Sequence, residues 1–424
     1  MQMRQLLCVK LGKPVWYSII SLLAPASLII ALYHNQMTQA QGFSSGSTGA
    51  DGALDFSSSP PGAIIEFDPA AFNPQLDPER DNIYHFTTIT IPASVTVRLT
   101  AKYLTGPVYW LATGAVQISG TINLNGGNGH PVTLTPAGRI PSVPGAGGFG
   151  GGIGGYACST NPAPPQPGNG PLGGGPGNPS GSNPSGGGFS GNQFLVPLVG
   201  GSGGGGRGRN SCNEWGSGGA AGGGAILIAS SNSIIINGTI MANGGSVSSC
   251  LDGGAGLGGG GAIRLVAPVI SGTGTISANG GGASCGVPGA SGRLRLEAFQ
   301  NNFTGTLNTQ FTRSSPNNTF VPTTPPPSVR VVSVAGAPVP SIPNGAFEMP
   351  DVAISQGSAV PVAIEAKNVP VGTIVKVHIF SEDGADQIVD STPLQGTLAQ
   401  STATASIVFP SGFSRGFARA VWRP

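Results

Sequence analysis

Between Ile83 and Phe347 the chain carries three carboxylates, Glu214, Asp252 and Glu297. Cleavage of a polysaccharide by acid–base or calcium-assisted chemistry needs carboxylates gathered in pairs, with a basic partner in lyases. Glu214 stands in a glycine-rich stretch, Asp252 in a loop and Glu297 on a strand, so each reads as a solvated surface charge. His34, His85, His130 and His378 are isolated from one another and read as surface or packing residues. Serines abound, but no Gly-x-Ser-x-Gly elbow comes with a suitable acid and base. Asp252-Gly-Gly-Ala-Gly puts its acid ahead of the glycines, unlike a calcium nonapeptide. The run Gly200–Gly206 lacks the lysine of a phosphate loop, and Arg207 and Arg209 read as exposed charges. Trp110 and Trp215, with Tyr103, Tyr109 and Tyr156, suit either a sugar-stacking surface or internal packing, and packing is the expectation. No catalytic, cofactor-binding or metal-binding residue is therefore expected, and no cofactor.

The cysteines point to a compartment. Arg4, Lys10 and Lys13 precede an apolar run from Val15 to Leu32, and Thr38-Gln39-Ala40 is a small-x-small site. This is the pattern of an export signal, with an uncleaved membrane anchor as the alternative. Cys158, Cys212, Cys250 and Cys285 follow it; without CxxC pairs or nearby histidines they suit disulfides better than zinc. Cys250 and Cys285 fall at like distances after Asn243 and Asn279, in the same loop of consecutive repeats. Neighbouring strands lie about 4.8 Å apart, within reach of a disulfide. A Cys250–Cys285 bond is expected, and a Cys158–Cys212 bond inside the glycine-rich stretch.

Composition narrows the class. Among 424 residues there are 72 Gly and 38 Pro, yet no Gly-X-Y period, which excludes collagen. With 39% apolar residues and a formal net charge of +2, the chain is neither typically disordered nor suited to nucleic acid.

Alternation begins at Phe86, and a repeat follows. Gly120-Thr-Ile-Asn-Leu-Asn-Gly-Gly127 returns as Gly238-Thr-Ile-Met-Ala-Asn-Gly-Gly245 and as Gly274-Thr-Ile-Ser-Ala-Asn-Gly-Gly281, with a worn copy from Gly305. Each copy follows another short strand, so the unit is strand, bend, strand, Asn-Gly-Gly turn, glycine-rich loop. Short strands repeated in this way bury a face only by stacking on one another. Within the insertion 129–223 two readings stand: a flexible low-complexity loop, slightly preferred, and a bundle of extended polyglycine helices. Past a Pro-rich linker, short alternating strands over 329–424 suggest a sandwich.

The Gly-Thr-Ile-x-x-Asn-Gly-Gly repeats, with Gly222–Ala229, Gly259–Ala267 and Ser291–Ala298, resemble the glycine-rich exoproteins of bacteria, over roughly 86–299. The resemblance implies a right-handed parallel β-helix shaped like pectin lyases, followed by sandwich domains, in an extracellular setting. The expected fold is thus all-β: a right-handed parallel β-helix (solenoid) with a Gly-rich insertion, then an immunoglobulin-like β-sandwich. The expected segments are a signal peptide 1–40, a polar leader 41–85, a β-helix 86–312 with the insertion 129–223, a linker 313–328 and a sandwich 329–424. The expected role is a secreted or cell-surface structural or adhesive scaffold whose partner is an extracellular glycan or another surface protein. Nucleic acid is not an expected partner, and a membrane is one only through an uncleaved signal. The alternative is a polysaccharide lyase or hydrolase.

Overall fold

A computed structural model describes residues 42–424 except 79, 105, 134–140, 157–163, 179–182, 210–213, 248–253, 283–285, 318–326, 342, 344–349, 356, 382–385 and 423–424. The export segment and the expected bonds Cys250–Cys285 and Cys158–Cys212 lie outside the described residues.

The apolar alternation builds parallel strands. Thr239–Met241 pairs with Thr121–Asn123 on one side and with Thr275–Ser277 on the other, so Ile122, Ile240 and Ile276 align and are fully buried. Together with Ile64–Glu66, Thr96–Arg98 and Thr306–Leu307 these strands form a six-stranded parallel sheet. The partner strands of each repeat do not form separate solenoid faces. One row (Ile83–Phe86, Val108–Ala112, Ala225–Ser230) and a second (Leu54–Asp55, Ile89–Ile91, Val116–Ile118, Ser233–Ile236) both pair with Ala262–Gly272. With Arg293–Phe303 and Phe311–Ser314 they make one ten-stranded, nearly closed, barrel-like parallel sheet.

This corrects the expected right-handed β-helix solenoid. In the second copy a corner separates Ala225–Ser230 from Ser233–Ile236, and the third copy lacks that corner. Ala229 pairs with Val266, but Ser233 pairs with Val269, so that copy is one residue shorter at the corner. In the second copy Ser230 Oγ holds the corner, donating to Gly114 O and accepting from Asn232 N. The third copy has Ala267-Pro268 there, with no hydroxyl to hold a turn, and the strand runs straight through eleven residues. Arg293–Phe303 follows it without a break, and the two rows fuse.

The insertion is also not a loose loop. Its described residues form a hydrogen-bonded glycine layer around the run Gly200–Arg207. The N–H groups of Gly201, Gly204 and Arg207 donate to the carbonyls of Gly223, Ala220 and Ser217. Those of Ser202 and Gly205 donate to Gly188 and Ser185, and those of Gly203 and Gly206 to Asn169 and Gln166. The carbonyls rotate in step. Gly201, Gly204 and Arg207 accept from Phe149, Gly152 and Gly155; Ser202 and Gly205 accept from Gly259 and Gly256; Gly203 and Gly206 accept from Gly174 and Gly177. A period of three is that of an extended helix with no internal hydrogen bonds. Every backbone N–H and C=O from Gly201 to Arg207 points to one of six surrounding segments, which meets the requirement that buried peptide groups be paired.

Such spacing leaves no room for side chains. A Cβ on Gly203 would lie 2.0 Å from Gly150 O, and one on Gly205 1.9 Å from Gly175 O. This also places the insertion in the fold, because a segment outside it, Gly256–Gly259, belongs to the same layer.

The barrel interior is aliphatic along the repeats and aromatic at its start. Phe67 packs against Tyr84 and Trp110, with ring centroids 5.3 Å apart in both pairs. Beside this cluster, Asp77 accepts hydrogen bonds from Asp81 N (3.0 Å) and Asn82 N (2.8 Å). Burial, against those two bonds, pushes its carboxyl up to about 6. A raised acid favours its protonated form in the fold. Its stabilising contribution is therefore complete below pH about 3.8 and is lost as pH rises through about 6. Asp77→Asn should abolish that slope in a urea-unfolding series from pH 4 to 7; an unchanged slope would assign the pH dependence elsewhere.

From Ser328 onward the strands are antiparallel. Ala337–Pro338, Ser328–Val334, Val360–Lys367, Ser401–Ile407 and Gln395–Gly396 form one sheet, and Gln387–Pro393, Ile374–Ser381 and Ser414–Ala420 form another. Val362, Ile364, Val375, Val377, Ile379 and Ile407 share one apolar core between them. Two antiparallel sheets of this kind are compatible with the expected immunoglobulin-like part.

Candidate functional site

The structure separates the acids. Arg209 Nε lies 2.5 Å from Glu214 Oε2 at the rim of the glycine layer. Asp252 lies outside the described residues. Glu297, expected as a solvated charge, is fully buried. Its Oε1 accepts from Arg264 Nε at 2.8 Å and from Arg295 Nε at 2.6 Å, and its Oε2 accepts from Asn317 N at 3.0 Å. Arg295 also donates to Gln193 O, Thr312 Oγ1 and Ser314 Oγ, and its guanidinium lies 5.3 Å from the centre of the Phe194 ring.

These three charges occupy the outer face of the ten-stranded sheet, since Ile263, Leu265, Leu294 and Leu296 take the inner one. Leu195 and Leu198, from the insertion, join Leu227 and Val266 in covering that face. The trio is enclosed, and its carboxylate has every oxygen engaged. It therefore holds the covering segment to the sheet and cannot meet a substrate in this arrangement.

The aromatic residues do not form one surface. Trp110 is inside the barrel, while Tyr109, its neighbour in the chain, packs on the opposite face with Leu111 and Leu227. Tyr103 packs at the barrel's edge beneath Lys102. Trp215 pairs with Thr133 in an isolated bridge, and the side chain of Tyr156 lies outside the described residues. His85 Nδ1 accepts from Thr48 N, His130 and His378 lie elsewhere, and His34 is outside the described residues. Arg207, rather than standing free, donates to Asn183 Oδ1 at 3.0 Å.

What the fold does bring together is a row of threonines. Thr96, Thr121, Thr239, Thr275 and Thr306 are register partners on five adjacent strands. The row beside them is Val97, Ile122, Ile240 and Ile276, all buried, with half-buried Leu307 at the end, so the threonines face out. At about 4.8 Å per strand the row runs about 19 Å. Alongside it run Arg98, Asn123, Met241 and Ser277, and Ile64 extends the row at 68% exposure. One corner further, Asn125 Oδ1 accepts from Asn243 N and Asn243 Oδ1 from Asn279 N, both at 2.8 Å. This ladder braces the edge of the face. Its signal lies in the repeat, where one threonine precedes the buried residue of each copy. No single threonine suggests chemistry, so no one copy marks the row as a site.

On this face Glu66, the register partner of Arg98, is about a third exposed and lies 2.9 Å from the Arg98 guanidinium; the row itself presents hydroxyl and methyl groups. Among the described residues no cluster of three or more His, Cys, Asp or Glu suits a metal ion, and no helix is long and apolar enough to cross a membrane. No protein-family model, no curated protein and no solved structure matches this chain.

Proposed function

We propose that this protein is an exported, non-catalytic scaffold of the cell exterior, structural or adhesive in role, that presents the threonine face to an extracellular glycan or another surface protein. The observation that carries the proposal is the register-matched row Thr96–Thr121–Thr239–Thr275–Thr306. Regularly spaced hydroxyl and methyl groups complement an extended polymer whose own polar and apolar groups repeat at short intervals. Anchoring by the buried row Val97, Ile122, Ile240 and Ile276 fixes the threonine spacing, so little ordering entropy is lost on binding. The enclosed Arg264–Glu297–Arg295 trio supports a non-catalytic reading. The export pattern at the start of the chain and the resemblance to glycine-rich exoproteins support the compartment.

An array of immobilised extracellular glycans tests the reading against a variant carrying Thr121→Lys, Thr239→Lys and Thr275→Lys. Retention of the parent protein, weakened at least about tenfold in the variant, a difference of about 1.4 kcal/mol, is the expected result. Equal retention of both would move the binding surface off this sheet. No retention of either would leave a protein partner as the ligand class.

A further inference from the structure

The three-stranded antiparallel sheet turns Val375, Val377 and Ile379 to its own core. Its other face carries Lys376, His378 and Phe380, which pair across the ladder with Arg419, Phe417 and Arg415. That face meets the glycine layer, and a small cleft of about 30 Å³ remains between them. Gly151, Gln166 and Asn169 line it from the layer, and His378, Phe417 and Arg419 from the sheet. The volume suits a water or two, or one small ion.

Two polar groups of this cleft have no partner among the described residues. His378 is only 9% exposed, its ring stacks on Phe417 at 4.6 Å, and its Nε2 makes no hydrogen bond. Arg419 forms no ion pair, whereas its neighbour Lys376 is bound to Asp390 at 2.7 Å. The surroundings are cationic. Burial, then Arg419 and Lys376, hold the His378 imidazole below its usual range. Burial and then Arg415 do the same to His130, and Asp351 offsets part of the Arg415 charge.

We infer that this cleft is a site for one small anion, a halide ion or a single carboxylate group, held between Arg419 and His378 where the glycine layer meets the C-terminal sheet. A guanidinium without a counter-charge and a buried imidazole nitrogen without a partner line the same cleft, and each demands one. A cation is repelled by Arg415, Arg419 and Lys376, and a neutral water leaves the charge uncompensated. An anion satisfies both groups, and the Asn169 amide stands ready as a further donor. Protonation of His378 adds attraction, so binding strengthens as pH falls. The other charged groups around it are Lys376 with Asp390, Arg415 with Asp351, and Arg419. His130, beside Arg415, is a second imidazole of this region. The anion site does not depend on the threonine face.

Calorimetric titration of the protein at pH 6 with sodium chloride and, separately, sodium formate, in a buffer free of other small anions, tests it. Saturable one-to-one binding of either salt is expected, and which one binds tells a halide site from a carboxylate site. Arg419→Gln should weaken it at least about tenfold, and Arg313→Gln, which does not line the cleft, should not. The NMR titration midpoint of the His378 ring should rise when the anion is bound. The assignment is overturned if neither salt saturates, if Arg419→Gln binds like the parent, or if sodium sulfate matched in ionic strength moves His378 equally.

Discussion

Gly204→Ala is expected to destabilise the protein by about 3 kcal/mol, the upper end of what overpacking usually costs. Gly204 sits in the middle of the run that six segments surround, and its own N–H and C=O are bonded to Ala220 O and Gly152 N. A methyl group there would lie 2.2 Å from both the carbon and the oxygen of the Gly256 carbonyl. Those atoms belong to backbone, so no rotamer change relieves the clash, and two hydrogen-bonded segments must part. Gly175→Ala supplies the control within the same layer, because its Cβ meets only Ser185 Oγ at an ordinary 3.5 Å. Urea unfolding of both variants, followed by far-ultraviolet circular dichroism, separates them. Equal stabilities would mean that the glycine layer is not close-packed in solution.

Glu297→Ala should cost about 3–5 kcal/mol, the usual effect of removing one partner from a buried ion pair. Arg264 and Arg295 are register partners on adjacent strands, and Glu297 Oε1 lies within 2.8 Å of a nitrogen of each. Without it, two enclosed guanidinium groups lose the carboxylate they share. A triple variant replacing all three by apolar residues of similar length should recover most of the loss, because desolvation and repulsion then vanish together. Protease sensitivity of the segment around Gln193 and Leu195 should rise in Glu297→Ala alone, since Arg295 donates to Gln193 O. A fully stable Glu297→Ala protein would show that solvent reaches the trio.

The strand pairing is legible in the residues alone, and the reason is local. Side chains alternate across a strand, so Ile122, Ile240 and Ile276 mark both a buried face and a register, and the Gly-Thr-Ile repeat aligns them. The same alternation carries Thr121, Thr239 and Thr275 outward, although what a row of them offers emerges only when five strands lie side by side. The antiparallel pattern after Ser328 is legible for the same reason.

What the residues could not show was decided by contacts distant in the chain. A one-residue difference at the corner of the third repeat fuses two rows into one barrel-like sheet, and only pairing across 36 or 37 positions exposes it. The burial of Glu297 depends on a cover supplied from about a hundred residues away. The glycine layer was the least legible part, because glycine has no side chain whose period marks a face. Its partners are chosen by backbone hydrogen bonds, and every residue offers the same donor and acceptor. By itself, the sequence determined that strands would form and which side of each would be buried. Which segments those glycines would touch was left to the tertiary structure, where close approach of bare backbone rewards only the arrangement that pairs every peptide group.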